Sequence, residues 1–98
     1  MNLRVFLEAL ATPRMIKYFT EGGCYELYKI IKQFFPDAVA YYDPIDGHVF
    51  TLVGDTYYDI RDSYGSLGDH IVPLDEWIAL APFTNPEEWS KGLIPSKV

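Results

Sequence analysis

A single cysteine, Cys24, in 98 residues excludes an internal disulfide and any cysteine-rich metal site, and that usage fits the reducing cytosol. Long apolar runs are also missing. The stretch from Ile71 to Phe83 is interrupted by Pro73, Asp75, Glu76 and Pro82, so no segment is expected to span or bind a membrane. Arg4 and Glu8 interrupt Leu3 to Leu10, which therefore does not read as a secretory leader. There is no internal repeat, low-complexity tract or linker, so residues 1–98 are expected to form one domain. Gly22-Gly23 follows no strand and lacks the lysine of a phosphate-binding loop. His70 lies beside Asp69, and neither His48, Asp59 nor Asp62 completes a zinc spacing with it, so no metal and no cofactor is expected.

Positive charge is scarce where it matters. Residues 37–76 carry Asp37, Asp43, Asp46, Asp55, Asp59, Asp62, Asp69, Asp75 and Glu76 against Arg61 alone, a sum of −8 within a total of −6. Residues 1–36 sum to +2. Such a block repels nucleic acid and attracts basic protein surfaces. Apolar residues make up 49% of the chain and aromatic residues 16%, enough for a packed core.

The pattern predicts an α+β fold: N-terminal helices, with a central cysteine-bearing helix packed on a small, mainly antiparallel sheet. Leu3 to Leu10 has helical spacing, with Val5, Phe6 and Leu10 able to share a face. Thr12-Pro13 opens a second helix running to Phe19. After the turn at Glu21-Gly22-Gly23, a stripe of Leu27, Ile30, Ile31, Phe34 and Phe35 marks the central helix, which starts at Cys24 and stops at Pro36. Strands are expected over Ala38–Tyr42, His48–Val53 and Thr56–Ile60, with Gly54-Asp55 as a type II′ hairpin turn. Ser63-Tyr64-Gly65-Ser66-Leu67-Gly68 reads as a loop, Leu74 to Leu80 as a short helix, and Asn85-Pro86-Glu87-Glu88 as the start of a last helical turn. Trp77 and Trp89 are expected to pin these C-terminal pieces to the body.

Three residues carry candidate chemistry. A thiol nucleophile works as the thiolate, which a helix N-terminus favours, and Cys24 falls at one. A two-residue turn at Gly54-Asp55 pairs Phe50 with Asp59, so His48 and Asp59 share a face on a diagonal of roughly 7 Å. Asp59 can then fix the tautomer of His48 while the other ring nitrogen meets the thiol.

Gly22-Gly23-Cys24 opening a helix, Gly47-His48-Val49 opening a strand, and Gly54-x-x-Tyr57-Tyr58-Asp59-Ile60 together resemble the papain-like cysteine peptidase superfamily. The nearest forms are its compact transglutaminase-like and NlpC/P60-like branches. The resemblance spans residues 20–65. It implies Cys24 as nucleophile, His48 as general base and Asp59 as the residue orienting His48. It also implies a thiol hydrolase or acyl transferase, with Tyr18 standing where those peptidases carry the glutamine of the oxyanion hole.

A different class fits the acidic block. In size and charge the chain resembles phage-encoded anti-CRISPR inhibitors, some of which occupy the DNA-binding surface of a Cas complex. That resemblance implies a protein of the host bacterial cytosol that binds a basic, nucleic-acid-binding Cas subunit and not nucleic acid itself. The partner-binding residues would be Asp43, Asp46, Asp55, Asp62, Tyr42 and Tyr57.

Overall fold

The computed structural model describes residues 2–89 and has the expected α+β architecture. Helix α1 spans Leu3–Leu10, α2 Pro13–Thr20 and α3 Cys24–Phe34. Strands follow at Val39–Asp43 (β1), His48–Val53 (β2), Thr56–Tyr58 (β3), Ser63–Tyr64 (β4) and Val72–Pro73 (β5), then helix α4 at Leu74–Leu80 and a 3-10 turn at Pro86–Glu88. The sheet order is β4-β3-β2-β1-β5, with every neighbouring pair antiparallel. Among the described residues, no helix is long and apolar enough to cross a membrane.

Helix starts follow the sequence signals. The Asn2 Oδ1 accepts from the Val5 N–H at 3.2 Å, and the Thr12 Oγ1 accepts from the Met15 N–H at 3.2 Å with Pro13 in the first helical position. Asn85 caps its 3-10 turn in the same way through the Glu87 N–H. The core face of α1 differs from the expected one. Leu3 and Leu7 are buried, with Leu10 packed beside them, whereas Val5 is 59% exposed. The i, i+4, i+7 leucines form the narrower and more apolar stripe, and it wins the interior. In α3 the stripe is Cys24, Leu27 and Ile31, and Phe34 turns outward onto Phe6.

Strand alternation separates two faces. Ala38, Ala40, Tyr42, Val49, Val53 and Tyr58 belong to the two hydrophobic clusters that α1–α4 complete. Val39, Tyr41, Phe50, Leu52, Tyr57 and Tyr64 belong to neither. The described residues therefore form two layers, with helices on one side of the sheet only.

Two short strands are additions to the expected set, β4 within the stretch that reads as loop and β5 just before α4. A two-residue strand has too few positions for alternation to register, and Pro73 masks β5 further. It is tolerated because β5 is an edge. Strand β3 also ends at Tyr58, two residues before the expected Ile60.

Gly23 is the tightest point of the helix layer. A Cβ there would lie 2.6 Å from both the ring edge and the carbonyl oxygen of Tyr18. Gly23→Ala should cost about 2 kcal/mol through this overlap, read as a lower midpoint in urea unfolding with an unchanged slope.

Candidate thiol centre

Cys24 is the first residue of α3 and is 3% exposed. Gly22, at φ 114°, turns the chain into the helix, and the Gly23 N–H donates back to the Tyr18 carbonyl at 2.9 Å. Gly23 therefore admits the Tyr18 ring against the backbone at the entry to α3. No side chain caps the first turn of α3. The thiol sulfur accepts a hydrogen bond from the Val49 N–H at 3.2 Å, joining the start of α3 to the start of β2.

The hairpin sets the other two residues. Val53 pairs with Thr56, Leu52 with Tyr57 and Thr51 with Tyr58, the expected register. Positive φ falls at Gly54 (64°) and not at Asp55, as a type II′ turn requires. Asp59 is the next residue after β3, opposite Phe50, and its carboxylate reaches back along the diagonal to His48. The His48 Nε2 to Asp59 Oδ2 distance is 3.2 Å, with both residues buried. Asp59 thus occupies Nε2 and leaves Nδ1 as the ring nitrogen available to the thiol.

Electrostatics lock this arrangement. Burial alone would lower the His48 pKa. The bond to Asp59 and the interaction with the Cys24 thiol outweigh burial and raise it to about 9. Burial would likewise raise Asp59, yet His48, the Arg61 guanidinium and the Asp62 and Arg61 backbone amides bring it down to about 2. Asp59 Oδ1 accepts from the N–H groups of Arg61 and Asp62 at 2.8 and 2.9 Å, while Oδ2 also accepts from Arg61 Nη2 at 3.0 Å. The Tyr64 hydroxyl lies 3.5 Å from Oδ2, and Phe50 meets the His48 ring edge-on at 4.7 Å between centroids.

Arg61 and Tyr64 are therefore parts of the site that sequence reasoning missed. Arg61 had a signal, being the one base in the acidic block two residues from Asp59. Tyr64 had none, because only the β3–β4 pairing brings it back. Beside His48 lies a cleft of about 220 Å³, lined by Thr20, Asp43, Asp46, His48, Phe50 and Arg61.

The expected partner-binding residues are scattered. Asp46, Asp55 and Asp62 are exposed. Asp43 is buried, and its Oδ1 accepts from the Ile45 and Asp46 N–H groups while lying 3.3 Å from His70 Nε2. Those bonds and His70 hold its carboxyl below the usual range although burial acts the other way. Tyr57 stands on the uncovered face against Tyr41, but Tyr42 is on the helix side, stacked on Trp89 and packed beside Trp77. These contacts tie α4 and the C-terminal turn to the sheet, as expected of both tryptophans. No group of three or more metal-ligating side chains occurs among the described residues.

A profile of the family described as Phage YunG-like protein matches residues 7–93, a span that includes Cys24, His48 and Asp59. No curated protein and no solved structure matches the chain, so no comparison extends to the papain-like superfamily.

The two shifted pKa values set a stability window. Asp59, lowered from its unfolded value, contributes stability that is present above about pH 4 and lost as pH falls through about 2. His48, raised from 6.5, contributes stability that is present below that value and lost as pH rises through about 9. Stability from this pair should therefore be greatest between about pH 4 and 6.5. Asp59→Asn should cost about 3 kcal/mol near neutrality and flatten the alkaline limb of a urea-midpoint-against-pH profile.

Proposed function

We propose that this chain, which belongs to the Phage YunG-like protein family, carries out thiol-dependent acyl transfer or hydrolysis with Cys24 as nucleophile. The observation that carries the reading is the buried 3.2 Å contact between His48 and Asp59, made beside a cysteine at the first turn of a helix. In this reaction His48, kept protonated near neutrality by its raised pKa, holds the catalytic proton at Nδ1 while the Cys24 thiolate sulfur bonds to the substrate's carbonyl carbon. The carbonyl electron pair moves onto oxygen. When it returns, the bond to the leaving group breaks, and that group takes the proton held by His48. The thioester is then cleaved by water or an amine, whose proton passes to the now neutral His48 as the carbon–sulfur bond breaks and the thiolate–imidazolium pair is restored. Asp59 orients the ring throughout and stays ionised. The backbone N–H groups at the uncapped start of α3 are the donors available to the developing oxyanion, in place of the glutamine side chain that papain-like peptidases use.

The thiol is 3% exposed, which makes reagent access the decisive measurement. Iodoacetamide should label Cys24 in the native protein at neutral pH, and His48→Ala should slow the labelling about 100-fold. A thiol that labels only after unfolding would sink the nucleophile reading.

A second reading is favoured by the exposed carboxylates of Asp46, Asp55 and Asp62 on the sheet side. On this reading the protein is a phage inhibitor that binds a basic surface evolved for nucleic acid, such as that of a Cas subunit, as an anti-CRISPR protein would. Reversal of these three residues to lysine should then abolish activity in a phage-protection assay, while Cys24→Ala leaves it intact. The converse pattern belongs to the thiol reading.

A further inference from the structure

The helix and sheet layers differ in charge as well as in packing. Of the described bases, Arg4, Arg14, Lys17, Lys29 and Lys32 lie on α1–α3, and only Arg61 lies elsewhere. Glu8, Glu21 and Glu26 are paired with bases on those same helices. On the sheet side Asp46, Asp55 and Asp62 are exposed and make no ion pair with any described base, while Arg61 is engaged with Asp59.

Within that acidic rim is the uncovered face of the sheet. Tyr41 and Tyr57 meet edge-on with centroids 5.2 Å apart, and Phe50 and Tyr64 do the same at 5.7 Å. Leu52 is the direct cross-strand neighbour of Tyr57 and Val39 on this face, and none of Tyr41, Phe50, Leu52, Tyr57 and Tyr64 belongs to a core cluster. The β2–β3 hairpin tip with Asp55 borders one end, and the β1–β2 turn with Asp46 borders the other.

We infer that this face is a docking surface for an arginine-rich protein segment. Arginine fits both features at once. Its planar guanidinium stacks on aromatic rings, its stem covers apolar surface, and its charge pairs with a carboxylate at the rim. Lysine satisfies the rim alone, and nucleic acid is repelled by it. The inference deepens the inhibitor reading by naming the surface and the side chain it selects, and it is independent of Cys24.

The test is an NMR titration of the full, isotope-labelled chain with a short arginine-rich peptide and with its lysine and glutamate counterparts. Arginine should shift resonances of Tyr41, Phe50, Leu52, Tyr57 and Tyr64. Lysine should bind about fivefold more weakly, the value of one cation–π contact, and glutamate should not bind. Tyr57→Leu keeps the apolar bulk and removes the ring, and it should erase the arginine preference. Cys24→Ala should change nothing. Equal binding of arginine and lysine, with shifts spread over Asp75 and Glu87, would overturn the inference while sparing the acidic-binding reading. Absence of binding by either basic peptide overturns both. Shifts at these rings that appear with protein concentration alone would assign the face to a second copy and overturn the inference.

Discussion

A carboxylate that is 1% exposed and still charged must be bonded on every side, and Asp59 is. An unpaired charge at that depth costs several kcal/mol, so each donor around it is held in place by the same energy. Oδ1 ties the Arg61 and Asp62 amides and so ends β3, bending the chain toward β4. Oδ2 ties His48 at the start of β2 and, through Arg61, the surface. Because the Cys24 sulfur takes the Val49 N–H next in line, the start of α3 is fastened to the same point. One ionised group thus joins a strand end, a loop and a helix start.

This arrangement suits two roles with the same set of bonds. The bonds that hold an imidazole in one tautomer for proton transfer are the bonds that would hold a loop closed. What separates the roles is whether a reagent reaches the sulfur. The cleft beside His48 comes to the imidazole from the sheet side, whereas Cys24 packs with Ala40, Val49 and Leu74 beneath the sheet.

Much of this was legible in the residues. The starts of α2 and α3 follow from Thr12-Pro13 and the glycines before Cys24, whereas the Asn2 cap of α1 emerges only in the structure. The β2–β3 register follows from Gly54-Asp55, since a two-residue turn leaves one pairing, and that pairing already brings Asp59 opposite Phe50. Other features left no local trace. Tyr42 and Tyr57 are alike in sequence, yet one stacks on Trp89 and the other faces outward, because alternation assigns opposite faces without saying which one the helices cover. Asp43 reads as one more surface acid, but the turn after β1 folds its carboxylate inward onto two amides and His70. On α1, eight residues contain two overlapping apolar faces, and packing selects between them: Phe6 and Leu10 join Leu3 and Leu7 at the core, while Val5 faces out.

The sequence by itself determined the helices, the three longer strands and the pairing of the hairpin, because caps, turn glycines and alternation act over a few residues. It also determined the charge imbalance, since the acids are contiguous along the chain. Only the tertiary structure decided where that charge lies. Folding the basic first third over one face of the acidic sheet turns a sequence gradient into a two-sided molecule. It likewise decided that the lone thiol would be buried against β2 with Tyr18 against the Gly23 that precedes it. Those placements depend on contacts between residues distant in the chain, and no local pattern encodes which of two faces the rest of the protein will cover.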